Sequence, residues 1–221
     1  MLNSYLTDTA LLLNDPSNQF YSTTTLTTLI NRARRWMSVL SLQPRVLVTT
    51  VSTVKNQETL ALTLANSAVA ASPGCASPYG TIGIAVQQGN YFIALGRKDF
   101  PSFQADDRIL NQTLKNYPDR FATYNRGQLQ VVYMFPVPAD VYSVQWDIAC
   151  TPINLVADTD VEAIPLPWTE IVPFQAARLA AITQQRWADA EGFRGEVESM
   201  MNEATAAEMP FMRGDWYPAS R

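Results

Sequence analysis

The chain has no histidine, only two cysteines and only 16% charged residues over its 221 positions. Without histidine it lacks the commonest general base and the commonest metal ligand. Serine triads, Cys/His dyads and His-built zinc sites are therefore excluded together. Cys75 and Cys150 are too few for a disulfide framework and read as two free thiols. Glycine is sparse: Gly80 and Gly83 precede an apolar run without completing a dinucleotide-binding loop, and no phosphate-binding Gly-Lys-Ser/Thr loop occurs. Long apolar runs are missing as well. The longest, Leu60 to Ala71, is broken by Thr63, Asn66 and Ser67 and falls short of the roughly 20 residues of a membrane helix. Met1 to Asn14 lacks the basic start of a secretory signal and carries Asp8 within its apolar stretch. A soluble, unprocessed, intracellularly made protein is expected, and the Asn111-Gln112-Thr113 sequon is then a coincidence. Sixteen Lys+Arg against twenty Asp+Glu leave a net charge of -4, which opposes sequence-independent nucleic-acid binding.

What is present is a chain 47% hydrophobic and rich in Thr, Ser, Asn and Gln. It is long enough for one domain, or one domain with an insertion, and its neutral polar surface suits a subunit with large protein contacts. Leu2, Tyr5, Leu6 and Thr9 recur with helical spacing up to the turn signal Asn14-Asp15-Pro16-Ser17-Asn18. Ser22 or Thr23 caps a second helix with Leu26, Leu29, Ile30, Ala33, Trp36, Met37 and Leu40 on one face. Arg32, Arg34 and Arg35 lie on or beside its polar side.

From Arg45 to Leu155 the pattern turns β-like. Strands are expected around 46–53, 60–64, 81–86, 91–95, 128–135 and 142–150, with tight turns at Gln88-Gly89-Asn90 and Asn125-Arg126-Gly127. Phe100 to Arg120 reads as an ordered loop or short helix. Short strands without intervening helices argue for an antiparallel sandwich or barrel. From Trp168 to about Glu208 helical spacing returns, with a bend at Gly192 and Gly195. A single helix of roughly 35–40 residues would span about 55 Å, so part of it is expected to project onto a neighbouring subunit. The last dozen residues, Pro210 to Arg221, suggest no element but carry three aromatics. The fold class is thus α+β: a helical bundle made by helices from both termini (1–42 and 166–208), an inserted antiparallel β-sandwich or barrel (43–165), and an extended tail (209–221).

Several segments resemble the head-to-tail connector (adaptor) proteins of tailed bacteriophages. Asp8, Leu11-Leu12-Leu13-Asn14-Asp15 and Phe20 to Arg34, with its Leu29-Ile30-Asn31-Arg32-Ala33-Arg34, are similar to the short helix, aromatic-Ser/Thr cap and Leu-Ile-Asn-x-Ala-Arg helix that open those proteins. Tyr133 to Tyr142, with Pro136-Val137-Pro138, resembles their strand, Pro-x-Pro turn and returning strand. Ile164-Pro165-Leu166-Pro167-Trp168 followed by Pro173 to Ala180 resembles the proline-bounded approach to their long C-terminal helix. The chain departs from the pattern in the neutral stretch Ala65 to Ala76 and in the loop Phe100 to Phe121.

The resemblance implies a structural virion protein at the head-tail interface: a ring homo-oligomer, typically dodecameric, under the portal protein. It would extend the DNA channel and offer a platform to tail proteins, with no catalysis, cofactor, metal or membrane. Under that reading Phe211, Met212, Arg213, Trp216, Tyr217 and Pro218 dock on the portal or a neighbouring subunit, because aromatic anchors dominate interface energetics. Asp189, Glu191, Glu196, Glu198, Glu203 and Glu208 form an acidic face that lines the channel, so that DNA passes without specific binding. Arg32, Arg34 and Arg35 pair on the helix surface or contact the portal. Asp158, Asp160 and Glu162 have the spacing of calcium ligands but lack the glycine and final glutamate of a calcium loop, so a solvated loop is expected. Two alternatives are a tail-completion or nozzle ring protein, and a glycan- or receptor-binding sandwich using Tyr91, Phe100, Phe103 and Tyr124.

Overall fold

A computed structural model describes residues 1–108, 114–125 and 129–212, without the side chains of 106–108 and 207–212. In chain order the elements are helices α1 (Leu2–Leu12) and α2 (Thr23–Ser41), strands β1 (Arg45–Ser52) and β2 (Thr59–Ala61), and helix α3 (Asn66–Ala70). Strands β3 (Cys75–Gln88), β4 (Tyr91–Ala94) and β5 (Gly96–Lys98) follow, then helix α4 (Phe100–Ser102). Strands β6 (Lys115–Asn116), β7 (Arg120–Tyr124), β8 (Val131–Phe135), β9 (Val137–Pro138) and β10 (Ser143–Pro152) come next. Helices α5 (Trp168–Thr183) and α6 (Trp187–Met212) close the described chain. The fold is mixed α+β in two compact units, one made of Met1–Ser41 with Asn154–Arg221, the other of Leu42–Ile153. Residues 154–165, grouped with the strands on sequence, thus fall with the helices.

In the helical unit, α1 buries Leu2, Tyr5, Thr9 and Ala10, one face of a 3.6-residue period. It is followed by Asn14 in the left-handed region (φ 56°) and by the buried carboxylate of Asp15, which accepts the N–H groups of Gln19 (2.8 Å), Phe20 (2.9 Å) and Tyr21 (3.0 Å). Burial alone would push this carboxyl up, but the three donors outweigh it and hold the group below its ordinary value. Ser22 then caps α2, its Oγ accepting the Thr25 N–H at 3.2 Å. Leu26, Leu29, Ile30, Ala33 and Met37 are buried as their spacing predicts, whereas Leu40 is exposed.

The C-terminal helix is two helices rather than one. The reversal falls at Gln184–Arg186, and Gly192 and Gly195 lie within α6. The Arg186 N–H bonds the Ala181 carbonyl (2.9 Å) and the Gln185 N–H bonds that of Ile182 (3.0 Å), with Gln185 left-handed at φ 60°. This closure satisfies the last carbonyls of α5 and turns the chain back. Pro167, Glu170 and Ile171, at the start of α5, then line one depression with Met200, Glu203 and Ala204 of α6. The expected projection is thereby largely folded back. Ala176, Ala177, Ala180 and Ala181 are fully buried, a small-residue surface that lets neighbouring helices approach closely.

In the β unit, one antiparallel sheet has the order β1-β10-β3-β4 and a second the order β2-β8-β7-β5. The hairpin signal at Gly89-Asn90 joins β3 to β4, with Gln88 opposite Tyr91 and Gly89 at φ 60°. Pairing is not purely antiparallel, since β5 runs parallel to β7 and β6 parallel to β9. Beyond β2 the run expected as a strand becomes a short 3-10 turn, Leu62–Ala65, and α3. One core collects Val48, Ile84, Val86 and Trp146 from the first sheet with Leu60, Phe121 and Val132 from the second. Trp146 is wholly buried and donates its indole N–H to Thr81 Oγ1 at 3.0 Å. Cys75 and Cys150 form a disulfide with Cα atoms 6.0 Å apart, where the sequence predicts free thiols. The β3–β10 register, which places Cys75 opposite Pro152 and Cys150 opposite Pro78, brings them together across 75 residues of chain.

A left-handed Gln185 costs about 1–2 kcal/mol that glycine avoids, less glycine's own entropic cost of about 0.5–1 kcal/mol. Gln185→Gly is therefore expected to raise the urea midpoint at unchanged m-value, with a gain of about 0.5–1 kcal/mol, and Gln185→Val to lower it.

Candidate functional site

Of the three basic residues expected on the surface of α2, Arg34 is inside the protein. Its guanidinium holds Glu162 with two parallel bonds, Nε to Oε2 and Nη2 to Oε1, both 2.8 Å, and the two side chains are 1% and 5% exposed. Tyr5 donates its hydroxyl to Glu162 Oε2 (3.0 Å) and Ile164 its N–H to Oε1 (3.0 Å). Burial, then the adjoining carboxylate, push the Tyr5 phenol well above its ordinary value. Asn31 accepts from Arg34 Nη1 (3.1 Å) and from the Leu155 N–H (2.8 Å), and donates to the Leu155 carbonyl (2.9 Å). Arg34 is thus a structural cation and not a portal contact, and Glu162 is not a solvated loop residue. A charged side chain at a buried helical position gives no sign in sequence when its counter-charge lies 128 residues away.

Arg32 and Arg35 stay exposed, Arg35 bonding Asn154 Oδ1 at 2.6 Å. The other calcium-like carboxylates also hold the chain. Asp160 accepts the N–H groups of Val156 (2.6 Å) and Ala157 (2.8 Å), which lower its carboxyl. Asp158 accepts the Asn3 N–H (3.0 Å) and the Met1 ammonium (2.6 Å).

The acidic stretch lies on α6, and Asp189, Glu191, Glu196, Glu198 and Glu203 are all exposed. They do not make one face. Ala190, Val197 and Ala204, seven residues apart, form a buried seam. At about 100° per residue, Asp189, Glu196 and Glu203 run along one flank of that seam and Glu191 and Glu198 along the other. Between the two rows, opposite the seam, stand the small or neutral residues Ala188, Gly192, Gly195, Ser199 and Ala206. Arg194 bonds both Glu191 (3.2 Å) and Glu198 (2.8 Å), and Arg186 bonds Asp189 through Nε at 2.7 Å. Exposed pairs of this kind contribute little stability, and each arginine offsets one charge, Arg194 on the row of two carboxylates and Arg186 on the row of three. The row ending in Glu196 and Glu203 keeps the more negative surface. Glu208 continues α6, but its side chain lies outside the described ones.

The docking residues expected at the C-terminus fall partly outside the described residues. α6 runs on through Phe211 and Met212, four residues past the predicted end at 208, and Arg213, Trp216, Tyr217 and Pro218 lie outside the described residues. Of the four aromatics proposed to stack on a glycan, Phe100 and Tyr124 are brought together and Tyr91 and Phe103 are not exposed beside them. Phe103 is buried, Phe100 packs on Tyr124 and Tyr133 with ring centroids 4.7 and 5.1 Å away, and Tyr91 sits on the β3–β4 hairpin.

Exposed apolar groups, of which sequence reading marked only Tyr91 as a surface aromatic, are instead prominent. Phe20 is 76% exposed on the loop organised by Asp15, and Trp187 is 64% exposed at the first turn of α6. Tyr91, Phe92 and Ile93 are exposed together on β4. Their signal was the absence of a polar alternation in Tyr91-Phe92-Ile93-Ala94, which reads equally well as a buried strand. Among the described residues no helix is long and apolar enough to cross a membrane. Compared with known proteins, the chain matches no family model and no curated sequence.

Removing one partner of a buried, hydrogen-bonded ion pair costs about 3–5 kcal/mol, whereas exposed positions shift stability by only about 0.5 kcal/mol. Urea unfolding is therefore expected to show a large loss for Arg34→Ala and a small one for Arg32→Ala. An Arg34→Ala protein as stable as wild type would contradict the assigned role.

Proposed function

We propose that this chain is a structural head-to-tail adaptor of a tailed bacteriophage, forming a ring below the portal protein, typically of twelve copies, that continues the DNA channel and receives tail proteins. In this reading it belongs to the virion's head-tail interface and carries out no catalysis. Its helices form a bundle into which the β-rich middle is inserted as a sandwich. The observation that carries the reading is the discontinuous helical unit, Met1–Ser41 with Asn154–Arg221, around the insertion Leu42–Ile153. That arrangement matches the order of segments by which the sequence resembles connector proteins.

Two further features support it. A rotational ring uses heterologous interfaces, two different surfaces per copy, and so needs more exposed apolar surface than a monomer. Phe20 and Trp187 on the helical unit and the β4 strand on the β unit supply it. The helical unit carries thirteen carboxylates against eight cations, and the β unit seven against eight. Negative charge is thus concentrated on the unit that holds α6. Repeated around a ring, an exposed row of Asp189, Glu196 and Glu203 repels phosphates and keeps passing DNA from sticking. The aromatic residues after α6 serve as docking anchors.

Native mass spectrometry with the portal protein of the same virion tests the reading. Full-length chain is expected to give a portal-bound ring, and a chain ending at Met209 to lose it. A chain indifferent to portal would overturn the proposal, and a ring that takes up tail proteins but not portal would reassign it to tail completion. In assembled particles, Asp189→Asn with Glu196→Gln and Glu203→Gln is expected to slow DNA ejection more than Glu191→Gln with Glu198→Gln. Equal kinetics in both sets would remove the channel-lining role.

A further inference from the structure

Within the β unit, the sheet β1-β10-β3-β4 ends among the described residues in two edges with no strand beyond them. Just past β4 the Leu95 N–H bonds the Ile84 carbonyl at 2.8 Å, and within it Ile93 and Tyr91 lie opposite Val86 and Gln88. Backbone groups alternate in direction along an antiparallel strand. Tyr91 and Ile93 therefore turn theirs toward β3, while Phe92 and Ala94 turn N–H and C=O outward. The four-residue strand has no charge, no proline and no break in register, three of the devices by which exposed edges are ordinarily blunted. Its aromatic and aliphatic side chains are exposed, Tyr91 at 77%.

Over Val46 to Val48 the opposite edge is of the same kind, ahead of a register shift between Val48 and Val51. The Cys150 N–H bonds the Pro44 carbonyl (2.9 Å), with Val46 opposite Ile148 and Val48 opposite Trp146. The same alternation directs the backbone groups of Arg45 and Leu47 outward. Val46 to Ser52 carries no charge, and the Leu47 side chain is 60% exposed.

Strand sense decides which edges fit. Each neighbour in the sheet is antiparallel, and the strands are even in number, so β1 and β4 run in opposite directions. A rotation about an axis along the strands preserves strand direction. It brings β4 of one copy beside β1 of the next in antiparallel sense, and the ladder continues unbroken. We propose that this is a ring contact: β4 of each copy adds to β1 of a second copy, Phe92 and Ala94 exchanging backbone hydrogen bonds with the Leu47 edge while Tyr91, Phe92 and Ile93 lose exposed apolar surface. The inference rests on the ring reading above and names one of its interfaces.

Proline is tolerated at an edge position whose N–H faces outward and there removes only the donor a further strand needs. Ala94→Pro and Leu47→Pro each test one side, read by native mass spectrometry over a concentration series, alone and with portal, beside thermal unfolding. The expected result is loss of the assembled species in each variant with the wild-type unfolding transition kept. Phe92→Lys, which leaves the backbone unaltered, should give the same loss and covers the case of a proline variant that fails to fold. Rings of wild-type stoichiometry in all three variants would overturn the edge pairing and leave the ring reading standing. A wild type that stays monomeric alone and with portal would overturn both. A two-copy species lost in Ala94→Pro but kept in Leu47→Pro would replace the proposed contact by β4 against β4.

Discussion

The buried ion pair of Arg34 and Glu162 is the contact on which the rest of the helical unit depends. Removing two charges from water is expensive, and the attraction between them repays that only when geometry and the remaining hydrogen bonds are complete. Here they are. The two carboxylate oxygens receive the guanidinium fork, the Tyr5 hydroxyl and the Ile164 N–H, and Asn31 takes up a further guanidinium nitrogen. The network joins α1, α2 and the segment that returns from the β unit. A unit built from two distant stretches of chain needs such a device, because nothing local tells residue 154 to come back to residue 31. Asn31 adds a two-way clamp on the Leu155 backbone. Leu155 and Ile164 then sit in the same core as Leu26, Ile30 and Trp168.

With both chain ends held in one unit, α6 acquires a fixed inner seam and two fixed outer flanks. The seven-residue repeat that buries Ala190, Val197 and Ala204 is also what separates the carboxylates into two rows. Arg194 bridges Glu191 and Glu198 in one row and Arg186 pairs with Asp189 in the other, so the carboxylates of α6 come to differ in effective charge. The channel lining proposed for six positions therefore narrows to a row of three. Helix reversal at Gln185 has a second consequence. It turns a helix that would have projected into a hairpin, and leaves Phe20, Trp187 and the β4 edge as the exposed apolar features that an assembly would cover.

Much of this was legible locally. The Asn14–Asn18 turn, the Ser22 cap, the buried face of α2 and the hairpin at Gly89-Asn90 follow from side-chain periodicity and turn chemistry within a few residues. What escaped had its cause far off in sequence or in an atypical residue. The parallel pairs β5/β7 and β6/β9 join segments about 20 residues apart, with no crossover pattern to announce them. Gln185 adopts the conformation expected of glycine, so the end of α5 carries no composition signal. Cys75 and Cys150 are brought together only by the register of β3 and β10. Of the candidate site, the acidic stretch and its exposure were legible, the division into rows followed once the buried seam was known, and Arg34 was misplaced because helical position alone cannot reveal a counter-charge.

By itself the sequence determined the absence of histidine chemistry, the low charge, the α-β-α order along the chain and the amphipathic faces, all properties of composition or of spacing within a few turns. The tertiary structure alone decided which charged residues are buried, where the C-terminal helix reverses, which cysteines meet and which strand edges stay open. Apart from the reversal, which rests on the left-handed Gln185, those outcomes depend on pairings between residues tens to more than a hundred positions apart, and the energy of such a pairing exists only once the chain has closed the loop between them.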